Sequence, residues 1–449
     1  MNKYIIVGII LVALVALLAT NKKLVETLKN IYKIEELRQR ILFTLGLLLI
    51  YRLGSFVTLP GVDHAVLEQW TQNFANDGSS LMGLLNIFSG GAFSQASIFA
   101  LGVMPYITAS IIIQLLGIMV PYFRKMQREG ESGRRKMNQW TRFLTIAVLL
   151  LQAPAYLKTQ IMAQQGAVVQ EAGFIVTSTI ILIAGTMFIM WLGEKITDRG
   201  IGNGISLIIM IGIVARLPQS FLQEFMFQTT GGGSIIMLLV ELVFLALVFM
   251  LAIAIVQAVR KIPVQYAKRI VGNKQYGGVR QYIPLKLNAA NVMPIIFAQA
   301  LMFIPGLIWG GQWLDITSFW YNFTLVVLVI AFTYFYTAII VNPQMMADDM
   351  KRNGGFIPGV KPGKSTVTYI DDIMTRITLP GSVFLAIITI LPAIAMSLGI
   401  TQGFAYFFGG TSLLIMVGVV LDTLKQIESY LLMRHYDGLM KTGRIQGRY

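Results

Sequence analysis

The residues of this chain that could do chemistry are few, and their spacing excludes most chemistries in turn. Gly359–Thr366, GVKPGKST, approaches a phosphate-binding loop, but the first glycine such a loop needs falls at Pro358. Gly200, Gly202 and Gly204 begin a dinucleotide-like run, with Ile205 where the third glycine belongs. Both follow helical rather than strand patterns, so neither supports a nucleotide site. His64 and His435 lie far apart and there is no cysteine, which leaves no metal-ligand set and removes thiol chemistry and disulfides. HExxH and GxSxG motifs are absent, and no paired carboxylates are expected within the apolar runs. An active site is unsupported, so the chain is expected to be no enzyme and to need neither cofactor nor metal.

Other polar residues fall in or beside apolar runs. Arg52, Arg216, Glu241 and Asp422 are placed near span ends, where long side chains reach the interface. Gln114, Gln152 and Gln299 fall within spans, where an unpaired amide is penalised. They form either ordinary interhelical hydrogen bonds or a polar seam between helices that part. The span centres are otherwise aliphatic, which offers no ion site and favours a hydrophobic constriction.

The elements that must position these residues are membrane spans. Of the 449 residues 55% are hydrophobic and 13% charged, with mean hydropathy +0.68, which fits a polytopic membrane protein and not a soluble domain. Apolar runs predict ten spans, at about Ile41–Leu59, Ala96–Val120, Thr141–Leu157, Phe174–Gly193, Asn203–Leu217, Ser234–Val259, Ala289–Ile308, Tyr321–Val341, Ile373–Ser397 and Phe407–Tyr430. The net charge of +15 is gathered in four segments. Lys22–Arg40 holds six basic residues, Tyr122–Arg142 seven, Arg260–Lys286 seven and Asn342–Arg376 five; Pro60–Gln95, Trp309–Trp320 and Leu398–Tyr406 hold none. By the positive-inside rule the amino end of the first span and the carboxyl terminus are both cytoplasmic, as an even span count requires.

Segment 21–40 reads as a cytoplasmic amphipathic helix, with Leu24, Leu28, Ile31 and Ile34 at helical spacing. Before it, 1–20 carries the apolar run Tyr4–Ala19, about 16 residues and short for a span. A signal peptide is disfavoured by the poor cleavage site before Thr20; an added anchor or a foreign piece are the other readings. The ten spans divide as five and five at Gly231-Gly232-Gly233, giving halves 41–233 and 234–432 and a tail 433–449. Odd halves run in opposite directions, and such inverted repeats put the functional path at their interface.

Asn86–Leu116 breaks the pattern. A short amphipathic piece stops at Ser89-Gly90-Gly91 and an apolar run follows. A non-spanning piece at membrane depth is tolerated only inside protein or beside a water-filled cavity, which points to a vestibule. The basic loops Tyr122–Arg142, Arg260–Lys286 and Asn342–Arg376 exceed what orientation needs, the last two marking cytoplasmic loops 260–288 and 342–372 of the second half. They serve either anionic lipid, at about 1 kcal/mol per basic residue, or a large cytosolic partner, for which an RNA-rich one suits. Prolines and glycines in Phe356–Gly363 give the last of these loops a defined shape.

Several stretches together resemble one family, SecY, the pore subunit of the bacterial protein-secretion translocon. They are NIFSGGAFSQASIFALGVMPYITASIIIQLL (Asn86–Leu116), EGESGRRK (Glu129–Lys136), TMFIMWLGEKITDRGIGNGISLII (Thr186–Ile209), YAKR (Tyr266–Arg269), PLKLN (Pro284–Asn288), FYTAIIVNP (Phe335–Pro343), GGFIPGVKPGKST (Gly354–Thr366) and FGGTSLLIMVGVVLD (Phe408–Asp422). The resemblance covers the chain from about Lys22 to its end. It implies an all-α polytopic membrane protein, ten helices in two inverted five-helix halves around an hourglass pore. It further implies translocation of unfolded secretory polypeptides and lateral insertion of membrane proteins at the bacterial cytoplasmic membrane.

By motif position, the resemblance makes Val103, Ile107, Ile205, Ile209, Ile296 and Ile415 an apolar pore ring. It makes Leu84–Ser94 a plug, with Asn86, Phe88, Ser89, Gly90, Gly91 and Phe93 as its residues, and Thr108, Gln114, Gln152 and Gln299 the border of a lateral gate. Arg260, Lys261, Lys268, Arg269, Lys361 and Lys364 would dock cytosolic partners. The partners implied are SecE- and SecG-type small membrane subunits, the SecA motor ATPase, the ribosome, signal sequences with nascent chains, and membrane lipids. Two features depart from the family: Lys361 stands where arginine is usual, losing a bidentate fork, and 1–20 has no counterpart. The reading from another class is a secondary transporter with inverted repeats; a membrane scaffold is the third.

Overall fold

The computed structural model describes residues 34–63, 66, 86, 88–162, 166, 168, 173–230, 234–266, 269–271, 274–276, 280–290, 292–309 and 317–441. Segment 1–20, most of the expected 21–40 helix, His64, Leu84, Lys268 and the last eight residues lie outside them. In chain order the helices are α1 Glu35–Gly54, α2 Met104–Met119, α3 Pro121–Arg128, α4 Glu131–Tyr156, α5 Phe174–Arg199, α6 Gly204–Thr230 and α7 Ile235–Gln257. Strands β1 Val259–Tyr266, β2 Arg269–Val271, β3 Lys274–Tyr276 and β4 Arg280–Lys286 follow. The chain continues with α8 Met293–Trp309, α9 Phe319–Ile340, α10 Pro343–Arg352, β5 Gly355–Phe356, α11 Lys364–Ser397, α12 Gln402–Ala405 and α13 Gly410–Lys441.

Among the described residues seven helices are long and apolar enough to cross a bilayer, and α2 with α3, bent by 100°, makes an eighth if taken as one broken span. The other two expected spans correspond to α1, which keeps Arg38, Arg40 and Arg52 along its length, and to α8, which has 17 residues. Helix α7 shows why the surroundings are lipid. Ile236, Leu239 and Met250 are 76%, 63% and 65% exposed, and only Leu238, Glu241, Val248 and Ala252 are buried. Apolar surface left in water costs about 25 cal/mol per Å², so a face of this size belongs in hydrocarbon.

Two compact units divide the chain. The first draws on Met1–Asn76, Met82–Phe221 and Val419–Tyr449, the second on Asp77–Leu81 and Leu222–Gly418. In the first, the apolar run expected to be helical from Ala96 becomes a helix only at Met104. Ala96 and Gly102 have φ of 45° and 54°, outside any right-handed helix. Residues 96–98 instead pair with 57–59, Leu59 N–H to the Ala96 carbonyl and Ile98 N–H to that of Val57, both 2.9 Å. Pro105 then opens α2, where a missing N–H costs nothing. Helix α6 was expected to end at Leu217, before Pro218, but continues to Thr230. Proline is tolerated in membrane helices because neighbouring groups re-satisfy the freed carbonyl.

The second unit carries β-structure that the all-helical expectation did not include. Strands order as β4-β1-β5, antiparallel, with Val259 opposite Lys286 and Gln265 opposite Phe356; β2 and β3 form a separate hairpin. The basic loops after α7 and α9 are therefore one body. Its core is Ile262, Val264, Leu285, Met350, Ile357, Ile370 and Met374. Ile370 and Met374 come from α11, whose 34 residues span about 50 Å at 1.5 Å per residue, well beyond the roughly 30 Å of hydrocarbon. The extra turns of α11 form the base on which this small sheet rests.

Candidate functional site

The break at Ser89-Gly90-Gly91 is a tight, buried turn in the first unit. Gly91 N–H donates to the Asn86 carbonyl at 2.9 Å, and Asn86 Oδ1 accepts Ser94 N–H at 3.2 Å. Ser89 Oγ accepts Phe93 N–H at 3.1 Å. Gly90 and Gly91 have φ of 65° and 95°, which glycine alone adopts freely. Asn86, Ser89, Phe93 and Ser94 are all buried. Phe88 is half-buried.

Four helices seat this turn, three of them by its backbone. On α1, Arg52 Nη1 donates to the Gly90 carbonyl at 2.9 Å and the Tyr51 hydroxyl to that of Ser89 at 3.4 Å. On α4, the Tyr156 hydroxyl donates to the Phe93 carbonyl at 2.7 Å, and its ring packs on Phe93 with centroids 4.8 Å apart. On α6, Gly212 lets the backbone in: a Cβ there would lie 2.8 Å from the Phe88 carbonyl oxygen and 3.2 Å from Gly90 N. Arg216, one turn on, lines Gly91. Leu59, Ala96, Ala100, Ala153, Leu157, Ile161, Phe174 and Leu182 complete the core around Phe93, with α5 as the fourth helix. Sequence reading missed Tyr51, Arg52, Tyr156, Gly212 and Arg216 as seat residues.

Of the six aliphatic ring candidates, four lie in the first unit. Val103 is buried at the start of α2, and its carbonyl accepts the N–H of half-buried Ile107 at 3.0 Å. On α6, Ile205 is half-buried and so close to Gly193 that a Cβ on that glycine would lie 2.8 Å from Ile205 Cγ1; Ile209 is buried. The remaining two belong to the second unit. Ile296 is half-buried on α8, whose Phe297 packs on Phe332 and Tyr336 of α9 at 5.4 and 5.1 Å. Ile415 is buried on α13.

The gate candidates behave differently from one another. Thr108 donates to the Met104 carbonyl at 3.1 Å and Gln114 to Ser110 Oγ at 3.4 Å, both within α2. Gln152 is exposed on α4. Gln299 makes the interhelical bond, its Oε1 accepting from Thr411 Oγ1 of α13 at 3.4 Å.

One of the charged residues differs from expectation. Glu241 was expected at an interface and is 2% exposed; its partner Glu224 is fully buried. Gln228 Nε2 donates to Glu224 Oε1 at 2.9 Å and to Glu241 Oε1 at 3.0 Å, bridging a buried carboxylate pair that sequence reading had excluded. Glu224 Oε2 accepts from both the N–H and the hydroxyl of Thr401. The pair was hidden because the extension of α6 beyond Pro218 carries Glu224 and Gln228. Arg52 and Arg216 are half-buried, and Asp422 is exposed.

In the basic body Arg260, Lys261, Lys361 and Lys364 are all exposed. Arg260 and Lys261 sit on β1, and Lys361 and Lys364 flank the turn into α11, where Thr366 Oγ1 donates to the Lys361 carbonyl at 3.0 Å. Arg269 belongs to the β2–β3 hairpin. No group of three metal-ligating side chains occurs among the described residues.

The SecY family profile matches residues 97–424. The chain is 43% identical over 439 residues to the protein translocase subunit SecY of Streptomyces scabiei, covering 91% of this chain and 98% of that one. It is 40% identical over 456 residues to that of Chlamydia trachomatis serovar D, covering 94% and 99%. Among solved structures, a protein conducting channel matches with TM-score 0.59 at 18% identity, over 87% of this chain and 91% of that chain. Sec61 in the canine ribosome-channel complex from the endoplasmic reticulum matches with TM-score 0.55 at 16% identity, over the same shares.

Proposed function

Because the chain belongs to the SecY family of protein translocase subunits, we propose a part-by-part reading of it as a protein-conducting channel. It is a multi-pass membrane protein that conducts polypeptide across a membrane. The substrates are unfolded secretory chains, and membrane segments leave sideways into lipid. The membrane is the bacterial cytoplasmic one, with the carboxyl terminus inside. The comparisons give no support to a secondary transporter.

In this reading Leu84–Ser94, which contains the buried turn at 89–94, is the plug, and Val103, Ile107, Ile205, Ile209, Ile296 and Ile415 form the constriction, contributed by two inverted halves. Branched aliphatics seal against ions by dewetting and deform around any side chain, because they make no directional bonds. Thr108, Gln114, Gln152 and Gln299 border the lateral exit. The chain itself does no chemistry. SecA or the translating ribosome drives transport, docking on the body that carries Arg260, Lys261, Lys361 and Lys364, while SecE- and SecG-type subunits and lipid surround the helices.

The observation that carries the reading is the seat of the 89–94 turn. Three hydrogen bonds to the turn's carbonyls, from Tyr51, Arg52 and Tyr156, contribute on the order of 3 kcal/mol in total. Such a closure holds at rest and yields to the binding energy of a signal sequence. The test is reconstitution with SecE-type partner and SecA, followed by ATP-dependent uptake of a secretory precursor. Uptake that requires an intact signal sequence supports the reading; saturable uptake of a small solute without precursor import overturns it.

A further inference from the structure

The turn between α5 and α6 lies just ahead of Ile205 and Ile209 and is held by side chains from distant parts of the first unit. Thr44 Oγ1, on α1, accepts Ile201 N–H at 3.1 Å while donating to the Arg40 carbonyl at 2.8 Å. Gln426 Oε1, on α13, accepts Gly202 N–H at 2.8 Å. Gly202 is at φ 81°, and a Cβ there would lie 3.0 Å from Thr423 Oγ1, so α13 packs directly on the turn. These partners are 157 and 224 residues away in sequence.

The start of α6 does not need them. Thr197 Oγ1 already accepts Gly204 N–H at 2.9 Å, and Asn203 Oδ1 accepts Ser206 N–H at 3.3 Å, which are the bonds that cap a helix N-terminus. A short connection at a membrane surface would otherwise leave its amides to water. The bonds from Thr44 and Gln426 therefore anchor the turn to two other helices without capping α6. Ile205 is the second residue of α6 and Ile209 one turn further, so wherever the turn sits, a close-packed helix carries both isoleucines with it.

We infer that Thr44 and Gln426 are positioning residues that hold Ile205 and Ile209 in the closed constriction. The inference rests on the assignment of those isoleucines to the ring. When either bond is lost the turn shifts, α6 enters at a different height, and the ring no longer closes.

The chain contains no cysteine, so Ile205→Cys supplies one reporter thiol in the full-length protein. Its rate of modification by a charged, membrane-impermeant thiol reagent in proteoliposomes is compared alone and together with Thr44→Val, Gln426→Leu, both, and Thr44→Ser. The expected result is a rise of about fivefold for Thr44→Val and for Gln426→Leu, roughly the effect of one lost hydrogen bond. Thr44→Ser, which keeps the hydroxyl, stays at the parent rate. An unchanged rate in the double variant, or in both single variants where the double does not accumulate, overturns the inference. Conductance of Ile205→Asn is measured in parallel. If it leaks while the thiol rates stay flat, only the inference falls; if it does not leak, the ring assignment falls and the inference with it.

Discussion

The hydroxyl of Tyr156 donates a 2.7 Å hydrogen bond to the carbonyl of Phe93, while the two rings pack 4.8 Å apart. One tyrosine thus holds both the backbone and the side chain of the turn proposed as the plug. The two contributions are separable by mutation. Tyr156→Phe removes the bond and keeps the packing, at a cost of about 1 kcal/mol. Resting ion conductance is expected to rise about fivefold, with precursor uptake retained. Conductance at the wild-type level would show that the bond plays no part in closure.

Gly212 makes a sharper case, because its neighbour is backbone. Gly212→Ala puts a methyl 2.8 Å from the Phe88 carbonyl oxygen, and neither group has a flexible end that can move aside. The turn must lift, so this variant is expected to leak and to export precursors with defective signal sequences. Gly46→Ala on α1 is the control, since nothing lies within 4 Å of the added atom. Export profiles of the two variants that match each other would contradict the seat.

The bridged pair Glu224–Glu241 makes a prediction about stability and not transport. Gln228→Leu removes the amide that serves both carboxylates and leaves them buried. A hydrogen bond to a charged group contributes about 1.5–3 kcal/mol, so a loss of about 3 kcal/mol is expected, read as a lowered Tm and yield in detergent. Glu241→Gln, which removes one of the two charges, is expected to be tolerated. A Gln228→Leu protein as stable as the parent would mean that the carboxylates are satisfied elsewhere.

The basic body yields a prediction in which two readouts separate. Lys361→Glu with Lys364→Glu reverses exposed charge beside the turn into α11 without touching the core of Ile262, Leu285 and Ile370. Binding of SecA or of ribosomes is expected to weaken, and its dependence on salt to flatten as phosphate or carboxylate contacts are lost. Resting conductance should not change. Equal partner binding at low salt would remove these lysines from the docking surface.

Much of the architecture was legible in the sequence, because spans are written as long apolar runs. What escaped has identifiable causes. The β1 strand alternates Lys261, Ile262, Pro263 and Val264, a period of two, but its partner β5 is two residues long and arrives through a different loop. The extension of α6 was hidden by Pro218, which reads as a stop in water and is absorbed among packed membrane helices. The seat of the turn was out of reach for another reason. Tyr51 and Tyr156 are 38 and 63 residues from the carbonyls they hold, and no periodicity records a contact that only the folded unit creates. Ser89-Gly90-Gly91 was visible as a break; what it docks against was not.

The central claim is that this turn closes a path through the protein. The most direct measurement is single-channel conductance in planar bilayers of the full-length chain and of a variant lacking Ser89–Ser94. The account predicts a silent parent channel and a deletion variant that opens to a stable, nonselective conductance. A deletion variant as silent as the parent, in protein that folds and inserts normally, would contradict it.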